Sequence, residues 1–188
     1  MGRFQHMGIK KSSPKERWVK KRETEFLAAH DEHADALFRH CLIRVRDREI
    51  AKDIVQETFS RTWLYMSEGK EIEYLRAFLY RVANNLIVDG SRRKKSSSLD
   101  SMMEEDGFEV RDESIREPLD TPALKEALKL LDELDEAYRA VITMRFMDEM
   151  TPKEIARALG LSENVVSVRI HRGIERLSRG MRKDPPST

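Results

Sequence analysis

A single cysteine, Cys41, stands in a chain of 188 residues, so no disulfide can form within it, and a lone thiol fits a reducing compartment such as the cytoplasm. Aromatic residues are scarce, 7% beside 39% hydrophobic and 37% charged. That balance disfavours one large core and suits small helical units with a wetted surface. No run of about 18 apolar residues occurs, so no membrane-spanning helix is expected. The basic start MGRFQHMGIKK is followed by no apolar stretch and does not read as a secretory leader. Also missing are a Gly-rich phosphate loop, a metalloprotease motif and a Ser/His/Asp arrangement. The carboxylates are spread along the chain instead of paired in apolar surroundings, so no catalytic residues and no cofactor are expected. His30, His33 and His40 fall on one helix near Cys41, but Leu37 interrupts the row and no metal site is expected.

What is present is charge, unevenly placed. The net charge is +1, yet Arg92, Arg93, Lys94 and Lys95 form one basic block and the stretch from Arg169 to Lys183 forms another. Between them, Asp100 to Asp120 holds nine acidic residues and two arginines. Two basic patches with an acidic connector permit local contact with nucleic acid while resisting indiscriminate binding.

Helical periodicity dominates. Ser13-Pro14-Lys15-Glu16 reads as a helix start. Leu27, Ala34, Phe38, Cys41 and Val45 then recur as one apolar stripe. A second helix is expected from Asp47 to Met66, with Ile50, Ile54, Val55, Phe59 and Trp63 inward, and a third from Glu73 to Asp89. The pattern breaks between Ser96 and Thr121, where serines, Gly107, acidic density, Pro118 and Pro122 indicate a flexible linker that Met102, Met103 and Phe108 can dock. A second unit begins at Thr121-Pro122, with Leu124, Leu128, Leu131, Tyr138, Val141, Ile142 and Phe146 as its core. The fold class is therefore all-α, two small helical domains joined by a flexible acidic linker. The divisions are a basic extension (1–22), a first domain (23–96), the linker (97–121), a second domain (122–183) and a tail (184–188).

The second domain carries the plainest motif. Thr151-Pro152 caps a short helix, PKEIARAL; Gly160 permits a left-handed turn; Leu161 fills beneath it; Ser162 caps the next helix, with Glu163 in its first turn. Small, turning and buried positions fall at Ala156, Gly160 and Val166, as a close-packed helix-turn-helix requires. In its second helix Val166, Ile170, Ile174 and Leu177 form the inward face, and Arg169, Arg172, Arg176 and Arg179 lie roughly opposite. Base edges are met by the N-terminal half of such a helix, whose outward arc is Asn164, Ser167, Val168, His171 and Arg172. Arg172 can donate twice to guanine, Asn164 can pair with adenine and Val168 can pack on a thymine methyl, while Arg176 and Arg179 suit phosphates.

Two further stretches, DREIAKDIVQETFSRTW (Asp47 to Trp63) and YLRAFLYRVANNLIVDGSRRKK (Tyr74 to Lys95), resemble regions 2.1 to 2.4 of extracytoplasmic-function (ECF) sigma factors. DEHADALFRHC (Asp31 to Cys41) resembles the helix before them, and LDELDEAYRAVITMRFMDEMTPKEIARALGLSENVVSVRIHRGIERL resembles region 4, in the same order. Neither a region 1.1 nor a region 3 is recognised, which favours the ECF group. The resemblance implies a partnership with the RNA polymerase core, through the β′ clamp helices and the β flap. It also implies binding to promoter DNA and sequestration by an anti-sigma factor. Asp53, Gln56 and Glu57, which project from a helix whose other side is Ile50, Ile54 and Phe59, are then the core-docking face. Asn84 and Asn85 interrupt an apolar helix, where amides fit poorly. By resemblance Asn85 helps capture an unstacked base of the −10 element, with Arg76, Asn84, Asp89, Arg92 and Arg93 along the strand path. Asn164, Ser167, Val168, Arg169, His171, Arg172 and Arg176 are the −35 surface. Two departures stand out: Phe78 replaces the tryptophan of R-x-W-L-Y, and Ser167-Val168 replaces a basic-then-small pair, which leaves the −35 sequence open. On the residues alone, a stand-alone helix-turn-helix regulator and an inactive decoy that binds polymerase remain alternatives.

Overall fold

The computed structural model describes residues 14–97 and 122–183. Most of the extension, the linker from residue 98 to 121 and the tail lie outside the described residues, as do the docking of Met102, Met103 and Phe108 and the side chain of Leu124. Seven helices make up the described residues: α1 (Pro14–Val45), α2 (Arg48–Ser67), α3 (Leu75–Ser97), α4 (Pro122–Asp132), α5 (Glu136–Phe146), α6 (Pro152–Leu159) and α7 (Glu163–Lys183). Among them no helix is long and apolar enough to cross a membrane. Helix α1 runs unbroken through the expected division at residues 22 and 23.

Local chemistry explains where these helices begin and end. Asp47, in extended conformation, accepts the Ile50 N–H at 2.9 Å and starts α2. Arg139 donates to the carbonyls of Asp132 and Leu134, tying off the α4–α5 turn. At α6, Thr151 and Glu154 form a reciprocal capping box and Gly160 closes the helix at φ +66°, a conformation costly for any residue with a Cβ.

Helices α1, α2 and α3 pack around Leu37, Cys41, Ile54, Phe59, Leu79 and Ala83, all buried. Helices α4 to α7 pack around Leu128, Val141, Met144, Met150, Ile155 and Val166. Four expected core residues are instead exposed: Leu27 (55%), Ile50 (44%), Phe146 (54%) and Ile174 (42%). Leu27 lies on the lip of an open groove between α1 and α2. The inward face of α2 runs through Ala51, Ile54, Thr58 and Thr62, and Ile50 falls on its flank. Helix α5 ends at Phe146, and Met150 returns to fill the core, its N–H bonded to the Met144 carbonyl. Ile174 loses its place to glycine. The buried face of α7 passes through Val166, Ile170, Gly173 and Leu177, and a Cβ on Gly173 would stand 2.8 Å from Cγ1 of Ile142.

The two helical units meet along a polar seam. His40 Nδ1 on α1 lies 2.6 Å from Asp148 Oδ2, both side chains buried, so the imidazole N–H donates to the carboxylate. Buried Arg44 donates to Glu136. Arg46 donates to the Leu128 carbonyl at 3.0 Å and to Asp132 at 3.2 Å. Helix α3 lies against α6.

Candidate nucleic-acid interface

The helix-turn-helix forms as its local signals require. Ser162 Oγ accepts the Val165 N–H at 3.3 Å, and Leu161 N–H returns to the Ala156 carbonyl at 2.9 Å, sealing the turn. Val166 at the start of α7 is fully buried, which fixes the rotation of the helix. Asn164, Ser167, Val168, His171 and Arg172 consequently face solvent together. Ser167 Oγ donates to its own helix, to the Glu163 carbonyl at 3.0 Å, and His171 stands 3.7 Å from Glu175. Arg169 is half-buried. Arg176 has partners inside the protein: Asp135 takes its guanidinium, and the Tyr138 ring lies beneath it at 4.3 Å. That contact sets it apart from the base-facing arc and suits a positioning cation.

The residues expected along the −10 path are sorted by α3 into two groups. Asn85, Asp89, Arg92 and Arg93 are exposed. Arg76 and Asn84 turn towards the seam: Arg76 donates to the Asp148 carbonyl and stands 3.7 Å from Glu154, and Asn84 Oδ1 accepts from Arg44 at 3.4 Å. The pattern of α3 gave no hint of this, because the partners lie 72 and 40 residues away. Phe78, in the place of the family tryptophan, packs against Tyr65 with ring centroids 5.0 Å apart.

On α2, Asp53, Gln56 and Glu57 are all exposed on one side, with Arg61 binding Glu57 at 2.6 Å. The face is therefore acidic with an internal counter-ion. Beside it opens a groove of about 610 Å³, lined by Phe26, Phe38, Val55, Gln56, Phe59 and Trp63 among others. The three histidines do not converge: His30 packs on Phe59, His33 is half-buried and His40 binds Asp148. Burial lowers the His33 pKa from its ordinary value.

Comparison with known proteins decides which family builds these two surfaces. The model of sigma-70 region 2 matches residues 30–97, and that of sigma-70 region 4 matches residues 124–177. The ECF RNA polymerase sigma factor SigL of Mycobacterium tuberculosis is 30% identical over 153 residues, covering 80% of this chain and 85% of SigL. The chain belongs to the ECF sigma factors of the sigma-70 family. SigW of Bacillus subtilis, also an ECF sigma factor, is 29% identical over 165 residues, 81% of this chain and 86% of SigW. The fold of this sigma factor is shared by CnrH in its complex with the cytosolic domain of CnrY. The TM-score is 0.66 at 23% identity, covering 89% of this chain and 94% of that one. It is shared equally by RpoE of Bartonella quintana in complex with the anti-sigma factor NepR, at TM-score 0.66 and 20% identity, covering 88% and 99%. Region 2 of the sigma factor thus runs from residue 30 within α1 to the end of α3, and region 4 from residue 124 within α4 to residue 177 within α7. The helix-turn-helix lies in region 4 and the basic end of α3 in region 2.

Proposed function

We propose that this sigma factor acts in the cytoplasm, docks on core RNA polymerase through Asp53, Gln56 and Glu57, and grips a promoter at two points. Asn85, Asp89, Arg92 and Arg93, with Arg76 and Asn84 once the seam parts, follow the −10 strand. Asn164, Ser167, Val168, His171 and Arg172 read the −35 duplex, with Arg169 and Arg176 on its backbone. The observation that carries this reading is the joint exposure of those five side chains in the first half of α7, above a helix anchored by buried Val166. A recognition helix needs that arrangement to enter a major groove. The structural relative solved with the anti-sigma factor NepR supports sequestration by an anti-sigma protein. Residues 98 to 121, between α3 and α4, serve as the linker between the two grips.

In vitro transcription with core enzyme and this protein on a genomic library tests the reading. Defined start sites with shared −10 and −35 sequences are expected. A protein that binds DNA but never directs core polymerase to a start site would be a stand-alone regulator, and one that binds core without initiating would be a decoy.

A further inference from the structure

Tyr74 stands immediately before α3, its carbonyl accepting the Phe78 N–H at 3.0 Å, and 44% of its surface is exposed. Arg81, Asn85 and Arg92 follow at intervals of seven, four and seven residues, spacings that return to one side of a helix. All four are exposed. One face of α3 thus carries a ring, a cation, an amide and a second cation over about 27 Å, at 1.5 Å of rise per residue. A single-stranded track has that composition: a π surface under a base, cations for phosphates and an amide for a base edge. A hydrogen bond with Glu73 raises the pKa of the Tyr74 phenol from its ordinary value.

The start of this track is occupied. The Arg157 guanidinium of α6 lies 3.5 Å from the centroid of the Tyr74 ring, where a planar cation takes the position of a stacked base. The Arg157 carbonyl accepts from Arg81, so the same residue engages the first cation too. A ring face holds one planar group at a time. A base that takes the face Arg157 covers must displace that guanidinium, one of the contacts between α6 and α3, and separation of α6 frees that face.

We propose that Tyr74 is a stacking platform for an unstacked base of single-stranded DNA, and that Arg157 occupies it in the closed molecule as a base substitute. The proposal deepens the promoter-opening reading above and rests on it. Strand capture and separation of the two helical units are then a single exchange: Tyr74 trades a guanidinium for a base, and Arg81 trades a carbonyl for a phosphate.

The test is fluorescence anisotropy of the full chain with a labelled single-stranded DNA of mixed sequence, about 12 nucleotides long to fit such a track. Tyr74→Leu is expected to weaken binding about tenfold, and Tyr74→Phe, which keeps the π face, to bind like the wild type. Arg157→Gln is expected to tighten binding by about threefold to tenfold in the wild-type background and to change nothing beside Tyr74→Leu. Thermal melts of each variant confirm folding. Wild-type affinity in Tyr74→Leu overturns the exchange, as does a weakening by Arg157→Gln that is equal in both backgrounds. If no variant binds the strand while the wild type still directs transcription with core enzyme, the exchange falls and the sigma reading stands. If Tyr74-dependent binding appears but transcription fails, the platform stands and its promoter role falls.

Discussion

Helix α7 turns Asn164, Ser167, Val168, His171 and Arg172 to solvent together, whereas α3 meets α6 where its own track begins, at Tyr74 and Arg81. On the proposed function, the two helices serve nucleic acid under different conditions. Duplex DNA presents its edges in an open groove, so a reading helix needs only to be anchored from behind, as Val166 anchors α7. A single strand must be held away from its complement, and a surface able to do that would also capture stray strands. Keeping part of that surface against α6 makes its use conditional on the domains coming apart. On the proposed function, contact through α7 can precede contact through α3.

The strongest way to break this contrast is to break the seam. Asp148→Ala leaves the buried His40 N–H without its acceptor, and an unsatisfied buried donor costs about 1–3 kcal/mol. Urea unfolding is expected to show that loss and two separated transitions in place of one. A loss below about 1 kcal/mol would make the pairing incidental and leave α3 no more conditional than α7. Gly173→Ala attacks the other side, the anchoring of α7. Its new Cβ would lie 2.8 and 2.9 Å from the Ile142 side chain, and overpacking of this kind costs about 1–3 kcal/mol. A lower Tm with duplex binding reduced across all sequences alike is the expected result.

Arg172→Ala sharpens the contrast instead. If α7 reads base edges, discrimination between the preferred −35 sequence and its variants falls by about 1–3 kcal/mol at one base pair. A loss uniform over all sequences would make Arg172 a phosphate contact. Thr151→Ala removes the α6 cap at a cost of about 1 kcal/mol by thermal melting. The smallest effect is set by pH. Hydrogen bonds from the Thr151 hydroxyl and backbone lower the Glu154 pKa from its ordinary 4.5. A carboxylate with a depressed folded-state pKa adds stability above its unfolded value and loses it as pH falls through the folded one. The Tm gap between wild type and Glu154→Gln is therefore expected at neutral pH and should close as pH drops below 4.5.

The contrast also marks how far the sequence could be read. The helix-turn-helix was legible because each of its signals acts within a few residues: Thr151 on Glu154, Gly160 on its own φ, Ser162 on Val165. The exposed arc of α7 followed from helical spacing alone. The seam was not legible, since His40 and Asp148 are 108 residues apart and a histidine on an apolar helix has many possible partners. The surroundings of Arg76 and Asn84, which the resemblance groups with Asn85, were not legible for the same reason: they are set by α1, by Asp148 and by Glu154 of α6. Leu27, Ile50, Phe146 and Ile174 show the limit of hydrophobic periodicity, which reports the average direction of a face and not its edges. A local signal was missed at Ile174. Gly173 and Gly180 are seven residues apart on one side of α7, and both stand where a Cβ would press on a neighbouring side chain.

Cys41 turns the seam into something that can be timed. It follows His40 directly, is fully buried, and has its thiol pushed up to about 12, first by burial and further by the nearby Asp148 carboxylate. In the closed protein it is doubly protected, by access and by protonation, so a thiol reagent reacts only through an opening that admits solvent. With one cysteine in the chain, the rate of labelling becomes a clock for that opening, in an unmodified protein. Added DNA, polymerase or an inhibitory partner would each be registered as a faster or slower tick.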